Sequence, residues 1–163
     1  MTSGRFERRL AGALGALAIL AGLVTALLTG FLVLARFINY SVVGLHELIL
    51  TAAVLFYMLG AILASRNRAH LAVDFIDQLL TTPRARAIHA LVVAVLTVIV
   101  TCFFIWWTWE MFAWGMRRPQ WTPAYQIPLW LPQLSIMIGA VGCFAYGLRD
   151  VVLAVLDLRQ LKG

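Results

Sequence analysis

Long apolar runs alternate with short polar ones along this chain. Residues Leu10 to Ala35, Leu48 to Ser65, Ala87 to Trp109 and Leu129 to Gly147 contain no Asp, Glu, Lys or Arg. Roughly 20 helical residues at about 1.5 Å each already cross a hydrocarbon core. The pattern predicts an all-α integral membrane protein, a single transmembrane domain over residues 1–163 with spans near 10–35, 48–65, 87–109 and 129–147. Pro128 and Pro132 introduce the fourth span, where proline's missing N–H is tolerated. The basic start, Arg5, Arg8 and Arg9, imitates a signal peptide. The run behind it outlasts the apolar core of a cleaved signal, which is about 7 to 15 residues, and it is read as a tilted span.

Between the second and third spans, Ala72, Phe75, Ile76, Leu79 and Leu80 share one helical stripe, with Asp74, Asp77 and Gln78 opposite. That segment reads as a short helix lying on the membrane surface and stopping near Pro83. The loop from Arg36 to Glu47 is too short to hold a domain.

Composition agrees with lipid as the solvent: 63% of residues are hydrophobic and 12% charged, too few to clothe a soluble globule of 163 residues. The net charge of +6 does not point to nucleic acid, because the cations cluster between apolar runs instead of along one face. Those clusters set orientation. Arg5, Arg8, Arg9, Arg66, Arg68, Arg84, Arg86, Arg149, Arg159 and Lys162 fall on one side, and Arg36, Arg117 and Arg118 on the other. The excess places both termini and the 66–86 loop in the cytoplasm. All six tryptophans flank the loop between the third and fourth spans. An interfacial aromatic belt accounts for much of this, but a belt usually decorates both interfaces, so the asymmetry also suits an outer partner.

Ionisable groups inside a bilayer are costly and are usually kept for work, and no span carries one through its middle. Glu47 and Glu110 lie at outer ends, His46 at the outer surface, and His70 and His89 at the inner one. A haem anchor needs paired histidines at matching depth, which this distribution does not offer. Nothing indicates a catalytic group, a cofactor or a metal site. Cys102 and Cys143 sit at different depths of separate spans and read as apolar fillers.

Small residues recur every fourth position: Ala18, Gly22, Ala26 and Gly30 in the first span, and Ser135, Gly139, Cys143 and Gly147 in the fourth. Such stripes let helix backbones approach where lipid offers no hydrophobic driving force. They are expected to form packing seams, inside this chain or against another.

The segment Glu47-Leu48, then Gly60-Ala61-Ile62-Leu63-Ala64-Ser65-Arg66, His70-Leu71-Ala72-Val73-Asp74, a proline-led third helix and Ile127-Pro128-Leu129-Trp130 resembles the small membrane (Q-type) subunit of tripartite ATP-independent periplasmic (TRAP) transporters. The resemblance covers roughly residues 15 to 150 and departs at Gly44-Leu45-His46, where a second acidic or aromatic residue is expected. It implies a small scaffold subunit in a bacterial inner membrane. Its partners would be a large membrane subunit that carries the substrate and sodium sites, and a periplasmic substrate-binding protein delivering carboxylates or sulfonates. Arg36, Glu47, Arg117, Arg118, Trp121 and Tyr125 are the candidate docking residues on the periplasmic side, although the arginines would equally suit membrane lipid phosphates. Two other readings are the membrane anchor of a respiratory or redox enzyme, and the small subunit of a tricarboxylate-type tripartite system.

The distribution of basic residues yields a direct test of topology. In a background lacking Cys102 and Cys143, a cysteine placed in the 114–122 loop should react with an impermeant thiol reagent added outside the cell. Labelling only from the cytoplasmic side would invert the assignment.

Overall fold

The computed structural model describes residues 3–40, 42–67 and 82–160, with side chains from Arg9 onward. Four helices fill most of that length: α1 (Ser3–Phe37), α2 (Leu45–Arg66), α3 (Pro83–Arg117) and α4 (Trp130–Gln160). Each contains one apolar run, and all four are long and apolar enough to cross a membrane. No strand is present among the described residues. The expected surface helix, with His70 and Asp74, lies outside the described residues.

The helices outrun the apolar segments. α1 and α3 have 35 residues each, or about 52 Å of helix against a hydrocarbon core of about 30 Å. Hydropathy marks the part that lipid can hold, whereas a helix continues wherever its backbone bonds stay local. Its ends are set by other signals. Thr82 caps α3, its hydroxyl accepting the Ala85 N–H at 3.3 Å, and Pro83 follows in the first turn, where no N–H is missed. α1 ends in a Schellman turn: Asn39 takes φ 56°, while the Tyr40 N–H reaches the Ala35 carbonyl at 2.8 Å and the Asn39 N–H reaches Arg36 at 3.1 Å.

α1 packs on α2, α2 on α4, and α4 on α3. The spatial order α1–α2–α4–α3 is an open row, not a closed bundle, so two helices are interior and two are edges. No large side chain among the described residues is fully buried, and both broad faces expose leucine, valine, isoleucine and aromatic rings. Burial is instead concentrated in thin seams, mostly of small residues, with Leu45, Leu59 and Ile62 of α2 the large ones among the described residues. Ala94 and Thr108 of α3 are buried, and so are Ala140, Gly147 and Ala154 of α4. These positions recur at multiples of seven, the repeat that keeps one side of a slightly coiled helix against its neighbour. On α1, Ala11, Ala18 and Ala35 are buried with Ala21 between them.

A strict four-residue stripe behaves differently, because at about 100° per residue it turns by about 40° at each step. Ala18 is buried and Gly22 lies against Phe56, where an added Cβ would come within 2.9 Å of the ring. Ala26 and Gly30 are exposed, and nothing lies within 4 Å of where a Cβ on Gly30 would be. On α4 the stripe wraps across two neighbours. A Cβ on Gly139 would meet Met58 of α2 at 2.7 Å, whereas one on Gly147 would meet Val98 of α3 at 3.3 Å. Cys143 lies between them, its carbonyl accepting the Ser65 hydroxyl at 3.5 Å. Ser135 turns its hydroxyl back to Leu131, and Cys102 and Cys143 are not joined in a disulfide.

At the end of the row that holds the chain termini, Arg149 closes α2. Its Nη2 donates to the Arg66 carbonyl at 3.0 Å, satisfying an acceptor that the end of a helix leaves open. The same guanidinium pairs with Asp150 and lies over the Tyr146 ring, 4.9 Å from its centroid.

The seams make a graded prediction. Gly139→Leu should cost about 1 to 3 kcal/mol, because Met58 meets the new side chain with its Cβ, which cannot swing away. Gly22→Leu should cost less, since only the tip of the Phe56 ring must move. Gly30→Leu should leave the thermal midpoint of the isolated chain in detergent unchanged or slightly raised. Equal loss at all three positions would contradict the seam geometry.

Candidate functional site

The candidate docking residues gather at the opposite end, where the 38–44 and 118–129 loops meet. α2 opens there without a serine, threonine or aspartate cap. Its N-cap is Gly44 at φ 86°, in the left-handed region, and the Glu47 N–H donates to the Gly44 carbonyl at 2.9 Å. Gly44 is also short of space: a Cβ there would collide with the Ala124 methyl and meet the Tyr125 ring at 3.0 Å. Both conditions select glycine. The sequence departure at Gly44-Leu45-His46 therefore marks a close contact between two loops.

Between α3 and α4 the chain folds back on itself as a small hairpin. Trp121 and Pro128 form an antiparallel bridge, the Thr122 N–H donates to the Ile127 carbonyl at 3.0 Å, and the Leu129 N–H donates to Gln120 at 3.1 Å. The turn closes with the Gln126 N–H on the Thr122 carbonyl at 3.1 Å, Gln126 itself taking φ 51°. The Thr122 hydroxyl oxygen accepts the Ile127 N–H at 2.9 Å. These bonds satisfy backbone groups that would otherwise be left open near lipid.

Glu47 ties this hairpin to α2. One carboxylate oxygen accepts the Ala124 N–H and the other the Tyr125 N–H, each at 2.9 Å, and the Thr122 side chain bonds to the same carboxylate. The group stands in the first turn of a helix, where negative charge also meets the positive end of the backbone dipole. Each of its oxygens holds one hairpin amide. Glu47 thus differs from the other docking candidates.

Arg36 stands in the last turn of α1, Arg117 ends α3, and Arg118 follows as the α3 C-cap; all three are exposed. Their guanidinium groups have no hydrogen-bond or ion-pair partner among the described residues, and Glu110 is not paired with them. Trp121 and Tyr125 ride on the hairpin, 59% and 47% exposed. Beside them a hollow of about 600 Å³ opens between the end of α1, the 39–47 stretch and the Pro123–Ala124 turn, with Arg36 and His46 on its wall. A smaller cavity of about 200 Å³ lies under the hairpin, lined by Trp121, Trp130 and Gln133. The Gln133 Oε1 is buried over Gly115 with no partner among the described residues.

The described histidines lie at opposite ends, His46 in the first turn of α2 and His89 in the second turn of α3. No group of three or more metal-ligating side chains occurs among the described residues. What the end of the row does offer is exposed cations and aromatic rings on a hydrogen-bonded hairpin.

Residues 25–157 match the model of the DctQ component of tripartite ATP-independent periplasmic transporters. The chain belongs to that family. No curated protein matches it. A DctQ component is part of a transporter, not a member of an enzyme family, and it acts with the other components of a tripartite system. The four apolar helices fit a multi-pass membrane component of that kind. Of the features that carried the resemblance, Glu47, the Gly60–Arg66 turn of α2 and the Ile127–Trp130 entry to α4 are described, and the His70–Asp74 segment is not.

Gly44 provides a sharp check on the loop contact. Gly44→Ala should lower stability by about 1 to 3 kcal/mol through the left-handed backbone alone. Gly44→Asn relieves the backbone but not the collision with Ala124, so it should not restore the thermal midpoint. Full recovery by asparagine would mean that the loops are not in contact.

Proposed function

We propose that this DctQ component is the small, non-catalytic scaffold subunit of a TRAP-type secondary transporter. It widens and supports the large membrane subunit. With its loop end in the periplasm of a bacterial inner membrane, it helps dock a soluble substrate-binding protein for sodium-driven uptake of organic anions, carboxylates or sulfonates.

The open row carries this reading. A translocating unit needs a polar path, whereas the helices here are uncharged between Arg9 and Arg36, Glu47 and Arg66, Arg86 and Glu110, and Trp130 and Arg149. Secondary transporters also build their sites from interrupted helices near the midplane. These four run unbroken. Two uncovered apolar faces suit a protein that lies against a larger membrane neighbour. The unpaired Arg36, Arg117 and Arg118, set beside Trp121 and Tyr125, suit weak docking of an acidic soluble partner, since Arg and aromatic side chains are favoured at interfaces. Exposed charges of this kind raise association rates more than they lower dissociation rates.

Reconstitution into vesicles separates the roles. With the large subunit, the binding protein and a panel of carboxylates and sulfonates, uptake should require this chain, while the chain alone should show none under a sodium gradient. Reversing Arg117 and Arg118 to Glu should reduce uptake at limiting binding protein and leave the membrane complex assembled. The wild-type dependence on binding protein should weaken as salt rises, because exposed charges are screened beyond about 8 Å at physiological ionic strength. Normal uptake by the reversed variant at low binding protein would assign those arginines to lipid.

A further inference from the structure

We infer that Glu47 is the positioning residue of the docking surface: a strut that fixes the 119–129 hairpin against α2. The inference rests on the docking role proposed above and assigns that role's geometry to one side chain.

Three observations converge on it. Both Glu47 oxygens accept backbone N–H groups of the hairpin turn, at Ala124 and Tyr125, so the carboxylate is held to the hairpin by two bonds at once. Thr122 reaches the same carboxylate while its oxygen accepts the Ile127 N–H, which joins the strut to the hairpin's own closure. Gly44 then brings the loop before α2 into contact with Ala124 and Tyr125. One turn is therefore held from two sides. The hairpin connects α3 to α4, yet it is bonded to α2, an interior member of the row. Trp121 and Tyr125 are carried on this fixed turn and stay partly exposed, and Pro123 and Ala124 form one wall of the hollow that Arg36 also lines. A docking patch built on loops recognises a partner well only when its supporting bonds hold the contact groups in place, since ordering them at binding subtracts from affinity.

Glutamine is the informative substitution. It keeps the size of the side chain but turns an NH2 group toward a backbone N–H that the carboxylate had satisfied, so one of the two amides loses its acceptor. In the complete membrane complex in nanodiscs, Glu47→Gln should speed amide hydrogen exchange across residues 120–127 by about tenfold, the size expected for a lost charge-assisted bond. It should weaken binding of the fluorescently labelled binding protein by a similar factor. Exchange along the α2–α4 seam and the thermal midpoint of the complex should stay as in wild type, which a general loss of structure would not allow. Glu47→Ala should act in the same direction and further.

The Arg117→Glu, Arg118→Glu double variant is measured in parallel. Unchanged exchange at 120–127 in Glu47→Gln overturns the strut. Faster exchange with unaltered binding, while the arginine variant binds poorly, keeps the docking role and overturns the assignment to Glu47. If neither variant alters binding, the docking role itself fails and the inference goes with it.

Discussion

Helices in lipid gain nothing by hiding leucine from its surroundings, so their association depends on how closely two backbones can come. In this chain that closeness is concentrated on α4. Gly139 and Gly142 admit Met58 and Ile62 of α2, and Gly147 admits Val98 of α3. α1 then adds to the far side of α2 through Ala18, Ala21 and Gly22. The row's order follows from these contacts: α4 turns small residues to both of its neighbours, and α2 fills the small-residue sides of α1 and α4 with Phe56, Met58 and Ile62. Buried polar groups are few because the seams leave little space for them. Ser65 and Thr108 are the buried polar residues among those described, and each hydroxyl bonds to a backbone carbonyl.

Seams alone do not fix the loops, which must be held by polar bonds at the edge of the bilayer. The two ends of the row solve this with opposite charges. At the terminal end, the Arg149 cation closes the carbonyl end of α2; at the loop end, the Glu47 anion sits on the amide end of the same helix and gathers the hairpin amides. Both charges agree with the dipole of α2. This interior helix is thus tied at each end to a segment outside it. A substitution at Glu47 and one at Gly139 should consequently act on different parts of the molecule, the first on the hairpin and the second on the row.

The spans were legible because a long uncharged run has few alternatives in a chain this apolar. Pro83 reads in the sequence as the stop of a surface helix and the third span as starting at Ala87, whereas Thr82 and Pro83 cap and open α3. The helix ends were less legible: α4 continues from Gly147 through Gln160 although charges return at Arg149, since hydropathy records solvent and not helix length. Of the four-residue stripes, Ala18, Gly22, Gly139 and Gly147 lie buried or against a neighbouring helix, but a period of four leaves one face after two steps, so Ala26 and Gly30 lie outside the contacts within this chain. Ala94, Ala140 and Ala154, which the longer period picks out, carry no signal as single residues. The hairpin was illegible because residues 119–129 have no alternating pattern, and its register is fixed by Thr122 and by Glu47 from a distant part of the chain. A carboxylate at an outer helix end reads equally as a docking charge or as an internal acceptor. Only the position of the Ala124 and Tyr125 amides separates the two.

An open row has a further physical consequence. A closed bundle can move as a unit with its core intact, but a single layer of helices has no core to protect, and its stiffness comes from whatever covers its faces. For α1 and α3 the exposed side chains are apolar around most of the circumference, including Phe103, Trp106, Trp107 and Trp109 on α3. Either lipid or a larger protein satisfies such a surface equally well in transfer energy. Shape then decides, because a protein neighbour can match the row's grooves while lipid chains must order themselves to fill them. Gly30, exposed with open space above its backbone and about two helical turns before the end of α1, is the kind of position where a second helix could approach as closely as Phe56 approaches Gly22. If the neighbour of the proposed scaffold covers the Ala26–Gly30 side of α1, Gly30→Leu should weaken the assembled complex while the isolated chain tolerates it, and an assembly of unchanged stability would leave that side to lipid.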